Sequence, residues 1–192
     1  MSIYGYLEWA AALAGLINVY LLTRQTILAW PAGLLSVFLY IFIFYHNRLY
    51  SDVILHTVYV ILNIYGWYHW TQPALDGKPL PVTRFNTGQN VLLALAILAA
   101  SLAWGLFMKK NTGADFVYAD AFILVASLTA QYLMTLKKLE NWMWWILVDI
   151  VAILIYSQKK LVVTTVLYSL YLFLCILGLR AWSRSNKLTT LN

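Results

Sequence analysis

Seven apolar runs, each close to the length of a bilayer crossing, constrain this chain more than any other feature. They cover about 7–22, 30–45, 50–70, 90–108, 118–135, 142–156 and 162–182. A helix needs roughly 20 mainly apolar residues to cross the hydrocarbon core, where nothing in the lipid pairs with a free backbone N–H or C=O. Between the runs, charge arrives as short punctuation such as Lys109-Lys110, Lys137-Lys138 and Lys159-Lys160. Only 10% of the residues are charged and 62% are hydrophobic, whereas a water-facing domain carries roughly a quarter charged residues. The expected fold class is therefore an all-α integral membrane protein of seven transmembrane helices, with the lipid bilayer as its main partner. The net charge of +6 is dispersed; it sets topology and forms no nucleic-acid patch. Nine Trp and fourteen Tyr suit anchoring at two membrane–water interfaces.

The longest polar interruption, 71–89, carries Pro73, Pro79 and Pro81 and reads as a loop between the third and fourth helices. No cleavable leader is expected, because the first run lacks a basic flank and holds Glu8 near its start. Lys and Arg number eight in the segments after the odd-numbered helices and five in the others. That bias predicts the N-terminus outside and the C-terminus in the cytoplasm. The lone Cys175 forms no intrachain disulfide and no cysteine-based metal site.

An internal repeat organises the chain. Shifting the sequence by 112 positions lays 6–70 on 118–182 without a gap. Trp30 meets Trp142, Tyr59 meets Tyr171, Gly66 meets Gly178, Trp70 meets Trp182, and Arg48 meets Lys160. Leu on Leu is uninformative in a membrane protein, but paired Trp, Gly and Tyr at one offset are not. The domains expected are a three-helix bundle over 1–70, a loop and linker helix over 71–117, a second bundle over 118–182 and a short tail over 183–192. Four crossings separate corresponding helices, so the triplets are expected as parallel repeats in a three plus one plus three arrangement. Parallel-repeat transporters hold their solute between the repeats near the bilayer midplane.

Two segments carry a family likeness. One is 30–70, ending in Asn63-Ile64-Tyr65-Gly66-Trp67-Tyr68-His69-Trp70; the other is 140–182, with Trp142, Trp145 and Asp149 in a W-x-x-W-x-x-x-[ND] pattern. Together they resemble the Pnu family of bacterial vitamin transporters, whose branches carry nicotinamide riboside, thiamine or riboflavin. The resemblance implies a fold like that of the sugar-transporting SWEET proteins, a multi-pass protein of the bacterial inner membrane, and no cofactor. It also implies facilitated diffusion by alternating access between the two bundles, with a cytoplasmic kinase trapping the solute, and it leaves a homo-oligomer open. In the nicotinamide riboside branch the sixth-helix pattern ends in Asn, and Gln stands where this chain has His56. The departures at His56 and Asp149 set this chain apart from that branch.

Asp149 lies mid-span, where a carboxylate costs on the order of 3 kcal/mol and marks a pathway or a neutralised structural acid. Trp142, Trp145 and Asp149 share one helical face. Two indoles beside a carboxylate suit a flat cationic heterocycle, although Trp142 also reads as an interfacial anchor. His56 lies at similar depth and reads as a site residue or as a histidine bonded to a backbone carbonyl. Tyr59 is its neighbour along the helix, Tyr168 and Tyr171 are the repeat-related residues, and Asn63 is a buried polar group that must find partners. Asn18 and Gln131 are similar with weaker claims. The substrate-binding set is thus Trp142, Trp145, Asp149, His56, Tyr59, Asn63, Tyr168 and Tyr171, with no catalytic, cofactor or metal residues.

Between solutes, an aminopyrimidine gives its amino hydrogens to a carboxylate, whereas a nicotinamide carboxamide is complemented by Asn or Gln. Asp149 therefore predicts thiamine first and nicotinamide riboside second, with a binding subunit of a separate energy-coupling transporter as a further alternative. No H-E-x-x-H, G-x-S-x-G or phosphate-cradling glycine loop is present, so an intramembrane enzyme is not expected.

Overall fold

A computed structural model describes residues 3–72, 80–111 and 115–189. Among these, the chain forms seven helices: α1 Ile3–Thr23, α2 Ala29–His46, α3 Tyr50–Thr71, α4 Thr87–Asn111, α5 Val117–Thr135, α6 Glu140–Gln158 and α7 Val162–Thr189. Pro73 and Pro79 of the expected loop lie outside the described residues. Each helix matches an apolar run to within a few residues, except that α7 continues to Thr189. Its extension, Ser183 to Lys187, is polar, and a helix that leaves the bilayer keeps its own backbone bonds and need not stop at the interface.

Six helices are long and apolar enough to cross a membrane; α3 is not in that set. Its 22 residues span about 33 Å at about 1.5 Å per residue, enough for a core of about 30 Å. What lowers its mean hydropathy is Asp52, His56, Asn63 and His69, together with a Tyr- and Trp-rich end. A spanning helix with that load must turn its polar residues away from lipid.

The turns explain how helices follow one another so closely. Among the described residues, four non-glycine positions have positive φ: Gln25 (56°), Arg48 (59°), Lys137 (50°) and Lys160 (57°). Each ends a helix in the paired Schellman pattern. Thus Thr26 N–H reaches the Leu21 carbonyl at 3.1 Å and Gln25 N–H the Leu22 carbonyl at 3.0 Å. Lys138 to Leu133 and Lys137 to Met134 repeat this at 3.0 and 3.1 Å. Arg48 and Lys160 do the same after α2 and α6, where Leu49 to Phe44 and Leu161 to Tyr156 both measure 2.9 Å. The four positions form two pairs at the repeat offset of 112. The hydroxyls of Thr23 and Thr135 likewise bond the Tyr20 and Tyr132 carbonyls, both at 2.7 Å. The repeat seen in the sequence is therefore a repeat of backbone geometry.

The chain divides into two compact units, one running through Pro81 and resuming at Leu177, the other Val82–Ile176. In the first, α2 packs on α1 and α3. Ser36 Oγ donates to the Ala11 carbonyl at 2.8 Å. The buried Trp30 indole lies over Gly66, where any Cβ would enter its ring. Trp70 stands edge-on to Trp30 at 5.1 Å and 89°, and Trp182 follows at 5.9 Å. The Trp182 Nε1–H donates a second bond, at 2.9 Å, to the Leu22 carbonyl that Gln25 N–H already reaches, and so ties its indole to the end of α1.

In the second unit α5 packs on α4 and α6, around a cluster of Ile97, Ala126 and Val148. Gly105 makes room for Tyr118, whose Cδ1 would lie 2.6 Å from an added Cβ. The segment leading into α4 straps the α5–α6 turn. Thr83 N–H donates to the Lys137 carbonyl at 3.1 Å, Leu139 N–H to the Thr83 carbonyl at 2.9 Å, and Phe85 N–H to Glu140 Oε1 at 3.0 Å. Lys138 Nζ completes it, 4.7 Å from the Phe85 ring centre.

Candidate functional site

In the first unit, the polar stripe of α3 gathers an aromatic box. His56 is half-buried, with Phe44, Tyr59 and Tyr40 ring centres at 4.8, 5.6 and 5.7 Å. Its Nδ1–H donates to the Asp52 carbonyl at 2.9 Å. A carbonyl only accepts, so that bond puts the proton on Nδ1 and leaves Nε2 as the acceptor. His56 thus has the backbone bond its bland reading expects and one nitrogen left for a donor. One turn on, the Tyr59 carbonyl accepts Nδ2–H of the buried Asn63 at 2.8 Å. Asn63 Oδ1 is sealed from solvent without a donor among the described residues, as is Asn18 Oδ1. Both carboxamides press on Gly33, where a Cβ would collide with Asn18 Nδ2 and Asn63 Oδ1. Asn18, Gly33 and Asn63 therefore bring α1, α2 and α3 to one point. Three apolar helices gain specificity from such a polar knot.

In the second unit the ring pattern recurs. Tyr168 stands 5.2 Å from Tyr156 and 6.1 Å from Tyr171; by the offset of 112 these are the counterparts of His56, Phe44 and Tyr59. What is new is a charge. Asp149, near the middle of α6, is 3% exposed. The thiol of Cys175 on α7 donates to its Oδ2 at 3.4 Å. Among the described residues this is the one donor that reaches the carboxylate. Removing an ionised carboxylate from water is costly unless it is paired and hydrogen-bonded, and one thiol is a weak donor. A carboxyl so placed calls for a proton, a cation or a strong donor.

The two indoles differ. Trp145, one turn before Asp149, is partly buried and packs beside the Ile97, Ala126 and Val148 cluster. Trp142 is fully buried. It stands at the place of Trp30, whose ring packs on Gly66, so its position is that of a packing residue rather than an exposed interfacial anchor. The structure brings His56, Tyr59 and Asn63 together along α3, Tyr168 and Tyr171 along α7, and Asp149 to Cys175. Cys175 belongs to no motif that marks it as a partner of the acid. The signal for it was the repeat itself, which sets Cys175 in register with Asn63. No group of three or more His, Cys, Asp and Glu side chains fit to hold a metal occurs among the described residues.

Seven long helices, six of them apolar enough to cross a membrane, a repeated helix-turn geometry and a buried acid in mid-span are features of a membrane transporter. The chain belongs to the family described as nicotinamide mononucleotide transporter, whose model matches residues 5–184. It is 25% identical over 207 residues to the nicotinamide riboside transporter PnuC of Escherichia coli, covering 95% of this chain and 87% of that one. It is 28% identical over 173 residues to the riboflavin/roseoflavin transporter RibM of Streptomyces davaonensis, covering 88% and 80%. The crystal structure of the vitamin B3 transporter PnuC shares its fold, with a TM-score of 0.77, 24% identity, and coverage of 95% and 82%. The protein is a multi-pass membrane transporter of the PnuC type for a small vitamin, and not an enzyme.

Proposed function

We propose that this protein carries nicotinamide riboside across the membrane by facilitated diffusion, with Asp149 as counter-charge to the pyridinium ring. The observation that carries the reading is the buried carboxylate of Asp149, reached by a single weak donor inside a family of vitamin transporters. A cationic ligand supplies what that carboxylate lacks, and the partly buried Trp145 one turn away offers a π face to the same ring. Within the same unit Tyr168 and Tyr171 offer hydroxyls and further rings, and Trp142 acts by packing; His56, Tyr59 and Asn63 form the corresponding polar and aromatic group of the first unit. The solute is unphosphorylated, since a phosphate would oppose Asp149, and a cytoplasmic kinase is the step that makes uptake one-way. The Lys and Arg bias supports an N-terminus on the outside.

Thiamine, the expectation from Asp149 alone, finds no support among the relatives, whose names specify nicotinamide riboside or riboflavin. A carboxylate accepts from any cation or donor and does not single out an aminopyrimidine. Riboflavin is the second reading, favoured by the RibM relative; its neutral isoalloxazine would leave Asp149 without a counter-charge. Calorimetry on the purified protein with nicotinamide riboside, riboflavin and thiamine tests the ranking. Nicotinamide riboside is expected to bind most tightly and to enter liposomes down its gradient without partner proteins. Binding without flux would favour a subunit of another transporter, and tighter binding of either other vitamin would overturn the substrate.

A further inference from the structure

We propose that Cys175 is a positioning residue, whose thiol sets the orientation of the Asp149 carboxylate toward the transported cation; this rests on the reading of Asp149 given above. The two side chains come from different helices, α6 and α7, and both are buried. Cys175 Sγ stands 3.4 Å from Oδ2, and Oδ1 has no donor among the described residues. One oxygen is therefore fixed and the other is left to the ligand.

The choice of a thiol matters. A carboxylate held by an amide, a hydroxyl or a guanidinium spreads its charge into strong hydrogen bonds and loses much of its pull on a ligand. A thiol fixes the rotamer while withdrawing little charge. The repeat shows the alternative: at the offset of 112, Cys175 occupies the place of Asn63 and Asp149 the place of Val37. The acid and the thiol are thus two departures from the first bundle that meet in space. Had α7 kept the asparagine, its amide N–H would be a strong donor within reach of the acid.

Two measurements test this. Cys175 is the only cysteine, so the infrared S–H stretching band of the purified protein belongs to it alone. The band is expected at the lowered frequency of a bonded thiol and should rise in Asp149→Ala, whatever vitamin is carried. A band unmoved by Asp149→Ala overturns the pairing. Calorimetry with nicotinamide riboside then reads the consequence. Cys175→Ala should weaken binding about three- to tenfold, the worth of one modest hydrogen bond, and Cys175→Ser should recover only part of it, because it restores a donor that draws more charge from the acid than a thiol does. Cys175→Asn should also stay below the wild type, because its amide N–H is a strong donor that draws charge from the acid. In an Asp149→Ala background, Cys175→Ala should cost nothing further. Equal losses in both backgrounds, or no loss in the first, would mean that Cys175 only fills space. A moving S–H band in a protein whose Asp149→Ala variant binds at full strength would keep the pairing and refute its role toward the ligand.

Discussion

Replacing Asp149 with alanine separates a ligand-binding acid from a structural one, because the two readings predict opposite pairs of results. The carboxylate lies about 14 Å from the start of α6 at about 1.5 Å per residue, deep in the span. It is 3% exposed and has one thiol donor at 3.4 Å. Bound nicotinamide riboside would place its pyridinium charge against this carboxylate, away from water. Deleting one member of such a buried pair costs about 3–5 kcal/mol. At about 1.4 kcal/mol per tenfold, Asp149→Ala should weaken binding by roughly two to three and a half orders of magnitude. The ligand-free protein should not suffer, since the substitution removes a buried and under-bonded charge; its thermal midpoint should hold or rise. Asp149→Asn keeps the shape but also removes the charge, so it should lose most of the same affinity and regain at most about tenfold over Asp149→Ala, the worth of one amide hydrogen bond to the ligand. Calorimetry and thermal melts in one detergent read both quantities. A folded Asp149→Ala protein with unchanged affinity and a lowered midpoint would show that the acid is structural and refute the reasoning.

Gly66→Ala should destabilise the protein by about 1–3 kcal/mol, because its Cβ would drive into the Trp30 ring, a rigid neighbour. Gly33→Ala should cost less, since the carboxamides of Asn18 and Asn63 can rotate away; thermal or denaturant unfolding that reversed this order would contradict the packing described. Lys160→Gly should stabilise by about 1 kcal/mol, because Lys160 is exposed at φ 57° and glycine adopts that conformation without strain; an unchanged or lower midpoint would count against it. Burial pushes the Lys137 ammonium below its ordinary range. The unfolded chain then holds the proton to higher pH, so stability should rise with pH through the alkaline window between the folded value and the unfolded one. Thermal midpoints across that window should lose this slope in Lys137→Met, and persistence of the slope would point to another group.

Helix count, order and register were legible because bilayer length and the offset of 112 both act through residue types that a sequence displays. The polar load of α3 was legible too, and α3 is the helix that falls outside the set of clearly apolar spans. The Schellman turns were hidden because glycine, their usual mark, is absent from all four; Gln25, Arg48, Lys137 and Lys160 hold the left-handed position instead. Trp142 was ambiguous in sequence because a tryptophan near a helix end serves as a ring of the site or as an interfacial anchor, and its full burial speaks against the anchor. The substrate was over-read. A carboxylate reports that a positive or donating group is wanted, and Asp149 says no more about which ring carries it.

The divergence between the bundles says something the shared scaffold does not. Positions that build the fold agree across the offset: the left-handed turn residues, Trp30 with Trp142, Gly66 with Gly178, and the ring triads of His56 and Tyr168. Positions beside the candidate site disagree: Gly33 against Trp145, Val37 against Asp149, and Asn63 against Cys175. A duplicated scaffold presents the same chemistry twice until selection separates the copies. Here one copy collects carboxamides and a histidine with an open acceptor, and the other collects an indole, an acid and a weak donor. The acid of the second copy suits a solute that carries a positive charge. A symmetric or uniformly neutral solute would give neither bundle reason to keep a charge in the membrane that costs on the order of 3 kcal/mol to bury.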